Sequence, residues 1–251
     1  MNLTEVKFWE KYWSNCHLPS VVDMEFSFDR CLANELKKHL SSVKGTVFEV
    51  GCAPGKWLAY MAKEFSLTTS GIEYSEAGMR ATLENFRILR LPSGSILTGD
   101  FFNIKPNLQY DVVMSFGFIE HFENAEDVVE QHLSWLKPGG LLILGVPNFR
   151  GVYYYIQKIL DNEILEKHNL KIMNLDFFRG LSRKYNLQTR FLGYIGSFEP
   201  SLPIAKHKYG NPLQFLVKSL LWIAIRIRRL KLLDHLNNHL FSSYILVVYK
   251  K

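Results

Sequence analysis

Thr46-Val47-Phe48-Glu49-Val50-Gly51-Cys52-Ala53-Pro54-Gly55 is a β-branched and aromatic run that ends in an acid and a glycine turn. Lys56 to Phe65 follow with helical character. That order predicts a strand, a tight loop and a helix start. Gly51 lets a ligand approach the backbone, and Gly55 lets the helix pack close to the strand. Glu73 closes a second strand-like run, Thr68 to Tyr74. An acid about 20 residues beyond the glycine turn is where an α/β fold holds ribose hydroxyls. The chain is therefore expected to bind an adenosine-type cofactor.

The loop narrows the choice. A dinucleotide fold uses Gly-x-Gly-x-x-Gly, because a pyrophosphate must sit on helix N-terminal amides. Here Ala53 replaces the middle glycine and Pro54 removes an amide donor. Glu49 brings negative charge where a phosphate would need the opposite. A sulfonium and an ammonium suit that charge better. At these residues the sequence resembles the class I S-adenosylmethionine-dependent methyltransferases, whose first motif is acid-x-Gly-x-Gly-x-Gly. Gly71-Ile72-Glu73-Tyr74-Ser75 is similar to the family's second motif and Thr98-Gly99-Asp100-Phe101-Phe102 to its third. Tyr110 to Gly117 is similar to the fourth, and Leu136-Lys137-Pro138-Gly139-Gly140-Leu141-Leu142-Ile143 to the turn and fifth strand. All five fall in order within residues 46–148.

The resemblance is to the small-molecule members, the type 11 and type 12 methyltransferases and the quinone-precursor group. It implies an α/β, Rossmann-like, seven-stranded and mostly parallel sheet, with helices on both faces and the last strand antiparallel. Ser243 to Tyr249 fits that last strand. It also implies S-adenosyl-L-methionine as cofactor and S-adenosyl-L-homocysteine as product. The cofactor-binding residues it implies are Glu49, Gly51, Cys52, Gly55, Glu73, Tyr74, Asp100, Phe101, Ser115 and Phe116. Glu73 would take the ribose diol, and Asp100 the adenine amino group beside an apolar wall.

Length and composition agree with one large domain. The 251 residues can bury a sizeable core, and 47% hydrophobic with 22% charged residues is a globular balance. Cys16, Cys31 and Cys52 are too few and too scattered for a disulfide framework or a zinc site, which favours a reducing cytoplasm. The N-terminus carries Glu5, Lys7, Glu10 and Lys11 and has no apolar core of a signal peptide. The expected organisation is a helical cap over residues 1–45, with Phe8, Trp9, Tyr12 and Trp13 clustered early. A cofactor-binding core follows over 46–148, then a substrate-side insertion over 149–187. C-terminal strands and a basic helix complete the chain over 188–251.

Methyl transfer is an in-line displacement, so much of catalysis is alignment and exclusion of water. A hydroxyl acceptor often needs a base as well. Glu120 and His121, just beyond the fourth strand, are the catalytic candidates, with His121 preferred because its pKa can lie near working pH. An acid–histidine pair is common here across the family and can simply cap the next helix or close the loop over the cofactor. Quinone-precursor enzymes carry Glu-x-x-Glu-His here, with a metal thought to sit on it. Gly117 replaces the first acid, too few ligands remain locally, and no metal is expected.

Candidate acceptor contacts are Tyr12, Trp13, Asn148, Tyr153, Tyr154 and His168. Tyr12 and Trp13 can instead pack a helix on the sheet, at least one of Tyr153, Tyr154 and Tyr155 is expected in the core, and a lone histidine such as His168 is more often a surface or packing residue. Residues 201–251 hold nine Lys or Arg against one acid, Asp234, so the basic excess of the chain is local. Within 213–236, Leu216, Leu220, Ile223, Ile227 and Leu230 recur at helical spacing beside Lys218, Arg226, Arg229 and Lys231. Such a helix either covers the sheet with a basic solvent face, the preferred reading, or lies on an anionic membrane. Its longest uncharged run, Ser219 to Ile225, is far short of the roughly 20 residues a span needs.

A small-molecule O- or N-methyltransferase is the favoured function, cytoplasmic or peripheral to a membrane. Alternatives are action at a membrane surface on a lipid-like or quinone-like acceptor, an RNA methyltransferase, and a non-catalytic cofactor-binding scaffold. Gly51-Cys52-Ala53-Pro54-Gly55 is similar to the Gly-Ala-Ala-Pro-Gly loop of ribose-methylating RNA enzymes. Ser115-Phe116-Gly117 lacks the acid those enzymes need, which argues against nucleic acid.

Overall fold

A computed structural model describes residues 3–204, 212–227 and 237–251. The quoted stretch forms β1 (Thr46–Val50) and leads into α3 (Lys56–Phe65). α1 (Val6–Trp13) and α2 (Ser27–Leu40) precede it. Strands and helices then follow as β2 (Thr68–Glu73), α4 (Glu76–Leu89), β3 (Ile96–Thr98), β4 (Tyr110–Phe116), α5 (Ala125–Ser134) and β5 (Leu136–Pro147), with a loop and no helix between β3 and β4. The insertion folds as α6 (Val152–Leu160), α7 (Asn162–Glu166) and α8 (Leu175–Lys184). β6 (Gln188–Ile195), α9 (Pro212–Ile227) and β7 (Tyr244–Lys250) end the chain.

The strands form one seven-stranded sheet in the order β3-β2-β1-β4-β5-β7-β6. β1 pairs in parallel with β2 and β4, and β7 runs antiparallel between β5 and β6. Strands buried on both faces read as near-continuous apolar runs, and β7 carries Ile245, Leu246, Val247 and Val248, all fully buried. Successive side chains alternate between two cores. Val47 packs with Leu32, Leu36, Leu58 and Met61 of α2 and α3. Phe48 faces the other way, stacked on Trp135 at 4.4 Å, in the core completed by α5 and by Tyr153, Ile164 and Phe178 of the insertion. Truncating a buried Phe of this kind costs about 3–5 kcal/mol.

The N-terminal cap consists of two helices. Residues 14–26 contain Pro19, which cannot continue a helix. Asn85 holds that link by accepting from the Ser20 amide at 2.8 Å and donating to the Ser20 carbonyl at 2.9 Å. α9 also departs from the preferred reading. Leu213, Phe215, Leu216, Leu220, Trp222 and Ile223 are all about half exposed or more, so its apolar side does not lie on the sheet. The basic residues Arg228, Arg229 and Lys231 and the rest of the expected helix to Leu236 lie outside the described residues. Among the described residues, no helix is long and apolar enough to cross a membrane.

Candidate active site

The strand order reverses between β1 and β4, and open α/β sheets bind ligands outside the carboxyl ends of the strands at such a point. A cavity of about 400 Å³ lies there. Gly51 follows β1 with φ +70°, and a Cβ at that position would lie 2.8 Å from the Phe118 ring. Only glycine gives the backbone this conformation without strain and leaves the ring its place. Ile72, Glu73 and Tyr74 contribute from the end of β2, and Gly99, Asp100 and Phe101 from the loop after β3. Phe116 ends β4 and Gly117 follows it, both on the cavity wall.

Glu73 is 4% exposed. One of its oxygens accepts from the Ser75 amide at 3.1 Å and the Ser75 hydroxyl at 2.9 Å, and the other from the Ala53 amide at 3.4 Å. Burial raises its pKa despite these donors. Ser75 in turn caps α4 by accepting from the Gly78 amide at 3.1 Å. Asp100 accepts from the Phe102 amide at 3.0 Å. Glu73, Asp100 and Glu120 line the cavity, and Lys167 is the one lysine or arginine there among the described residues. Glu73 and Asp100, at and beyond the ends of β2 and β3, suit a phosphate-free ligand that offers hydrogen-bond donors.

Four of the residues expected at the cofactor do not line the cavity. Glu49 shares the face of Val47, so it points behind the loop. There it is 4% exposed, and burial pushes its carboxyl well above the usual range while the Leu58 amide at the start of α3 opposes this. Cys52 is buried against Gly71, and Gly55 sits at φ +84° against Thr82 and Phe86 of α4. Ser115 is 1% exposed within β4. These residues shape the loop and strand rather than the wall.

α1 closes one side of the cavity. Its i and i+4 aromatic pairs, Phe8 with Tyr12 and Trp9 with Trp13, stack at 6.1 and 6.4 Å, and all four line the wall. Glu10 on the same helix accepts from the Glu76 and Ala77 amides at 2.6 and 3.1 Å, capping α4 from outside its own chain segment. Trp9 meets the His121 ring edge-on at 5.0 Å.

Glu120 and His121 form one turn of 3₁₀ helix, Ile119–His121, after β4. They do not cap α5, whose N-cap position is Asn124. Burial pushes the Glu120 carboxyl up to about 8. Burial, with His168 adding to it, pushes His121 down to about 3. Burial therefore favours the neutral imidazole at His121. Its Nδ1 donates to the Lys167 carbonyl at 2.9 Å. His168 lines the cavity beside it, 4.6 Å away ring to ring.

Among the expected acceptor contacts, Tyr12, Trp13 and His168 reach the cavity. Asn148 does not: it is fully buried, and its amide donates to the Ser242 and His239 carbonyls at 2.9 and 3.2 Å. Tyr153 is fully buried, and its hydroxyl accepts from the Glu199 amide at 2.6 Å. Tyr154 lines a separate shallow pocket with Tyr155 and Leu240. Residues at the cavity that went unassigned include Trp9, Phe149, Lys167, Leu202 and Tyr244. The i, i+4 spacing of the α1 aromatics marks Trp9 as a partner of Trp13. Nothing in the sequence marks Tyr244, which opens the last strand.

A model of the methyltransferase-domain family matches residues 27–190. A search of curated proteins found no match. Solved structures share the fold at low identity. A geranyl diphosphate C-methyltransferase from Streptomyces coelicolor A3(2), in complex with Mg²⁺, geranyl diphosphate and S-adenosyl-L-homocysteine, is 12% identical with TM-score 0.62, over 97% of each chain. An S-adenosylmethionine-dependent methyltransferase from Thiobacillus denitrificans, in complex with S-adenosyl-L-homocysteine, is 14% identical with TM-score 0.60, over 99% of each chain. The [4+2]-cyclase SpnF is 14% identical with TM-score 0.58, over 88% of this chain and 79% of that one. The shared fold thus serves more than one chemistry, and the reaction must be argued from the site.

Proposed function

Because the chain belongs to the methyltransferase-domain family, we propose that it transfers a methyl group from S-adenosylmethionine to an oxygen or nitrogen of a small molecule. The observation that carries this is the acid-lined cavity at the strand reversal, with Gly51, Glu73 and Asp100 on its wall. In this reading Glu73 accepts from the ribose diol. Asp100 and Phe101 hold the adenine, and Phe116 with Gly117 faces the methionine part. The cofactor supplies an electrophilic methyl group. The chain supplies alignment and exclusion of water, which α1 favours by closing the cavity with Phe8, Trp9, Tyr12 and Trp13. The remaining wall, with Phe149, Ile164, Lys167, His168 and Leu202, suits a partly apolar acceptor with a polar reacting end.

The test is incubation with methyl-labelled S-adenosylmethionine and a panel of phenols, amines and carboxylic acids. Label should appear on one class. Failure to label any of them, in a protein that also fails to bind the cofactor, contradicts the reading.

A second reading places the reaction at a membrane surface, on a lipid-like acceptor. The exposed apolar residues of α9 favour it, with Lys218 and Arg226 on the same helix. Sedimentation with anionic phosphatidylglycerol vesicles should carry the protein down, and Leu216→Asp with Ile223→Asp should release it. Equal sedimentation with neutral phosphatidylcholine vesicles, or no effect of the substitutions, removes this reading.

A further inference from the structure

Glu120 is 1% exposed, and neither of its carboxylate oxygens has a hydrogen-bond partner. A buried polar group in that state calls for a ligand or another explanation. The nearest histidine nitrogen, Nε2 of His121, lies 3.8 Å from Oε1, too far for a hydrogen bond. His121 and His168 meanwhile each commit Nδ1 to a backbone carbonyl, of Lys167 at 2.9 Å and of Ile164 at 2.6 Å. A carbonyl only accepts, so each ring carries its proton on Nδ1, and Nε2 is left with a bare lone pair. One ligand atom from each of the three residues lies within 4.8 Å of the others.

This is the donor set of a metal site. Zinc holds nitrogen and oxygen ligands at about 2.0–2.2 Å, so atoms sharing one ion sit roughly 3 Å apart, within reach by small side-chain rotations. Carbonyl acceptors on the far ring nitrogens are the outer contacts that orient metal-binding histidines. Two histidines and a carboxylate leave coordination positions open.

We propose that Glu120, His121 and His168 bind one divalent first-row transition-metal ion, whose open positions face the cavity and take an oxygen of the acceptor. The role toward the acceptor rests on the methyl-transfer reading; the metal site itself does not. The expectation of no metal counted donors between residues 117 and 121 alone. His168 comes from the insertion, just beyond α7, and stands in a different place from the acid that Gly117 replaces.

The test is titration of metal-free protein with Co²⁺, followed by its visible d–d absorption, and then displacement by Zn²⁺. One Co²⁺ should bind per chain. His168→Ala and Glu120→Gln should weaken it at least tenfold. His39→Ala removes another histidine–glutamate contact, at 3.1 Å from Glu35, and should change nothing. His168→Gln is read in place of a variant that does not fold. Absence of a stoichiometric Co²⁺ band in the wild type, or undiminished affinity in the folded His168 variant, overturns the proposal. Cofactor binding measured on the same samples separates the two readings. Binding of S-adenosylmethionine without Co²⁺ removes the metal site and leaves methyl transfer standing. Co²⁺ binding without S-adenosylmethionine does the reverse.

Discussion

Glu73 joins the strand end, the glycine loop and the start of α4 through one carboxylate. It accepts from Ser75 and the Ala53 amide while lining the cavity, and a carboxylate has acceptor capacity beyond those three contacts. Hydrogen bonds to a charged group contribute about 1.5–3 kcal/mol each. Glu73→Ala should therefore weaken S-adenosylmethionine binding by about ten- to a hundredfold in calorimetric titration. Glu73→Gln keeps the acceptor for Ser75 and should lose less. Near-normal affinity in the alanine variant would take Glu73 out of the cofactor site. Glu49 teaches a different lesson at the same scale. An acid beside a glycine turn reads as a ligand residue, yet strand alternation turns it to the face of α2 and α3. The motif marks the acid, and the strand's period of two sets which way it points.

Two contacts between elements decide how the cavity is closed and held. Glu10 ties α1 to α4 by capping that helix's first amides. Losing such a cap costs about 1 kcal/mol, and the cost falls on the fixation of α1. Glu10→Ala should speed amide exchange across residues 6–13 while shifting the global melting temperature little. Unchanged exchange there would mean that the aromatic contacts alone hold α1. Asp111 on β4 accepts from the Thr46 amide and hydroxyl on β1, both at 2.9 Å, and from Lys137 at 2.9 Å. Burial opposes the charge, but the Lys137 ammonium and the Thr46 donors outweigh it and hold the carboxyl below its usual range. A depressed folded pKa means that the unfolded chain binds the proton first as pH falls. The contribution is whole above the ordinary aspartate value near 4 and is lost as pH drops through the lower folded value. Urea midpoints should decline across that window, and Asp111→Asn should flatten the decline. Parallel curves for both proteins would assign the acid sensitivity elsewhere.

The whole molecule reads unevenly from its sequence. The motifs between Thr46 and Ile143 mark β1 to β5 in order, because each joins a strand to a local chemical signature. β7 was legible from Ser243 to Tyr249 as a run of apolar and β-branched residues. What the sequence hid arises from distant pieces meeting. Trp9, Lys167 and Tyr244 come from the first helix, the insertion and the last strand, and converge on the cavity. α9 hid its role differently: its helical period is plain, but a period does not say what covers the apolar side. The methyltransferase reading depends on the cavity accepting one particular cation. Calorimetric titration of the purified protein with S-adenosylmethionine, with NAD as control, tests this directly. Saturable one-to-one binding of S-adenosylmethionine, and none of NAD, is the predicted result; a folded protein that binds neither, or that prefers NAD, would contradict it.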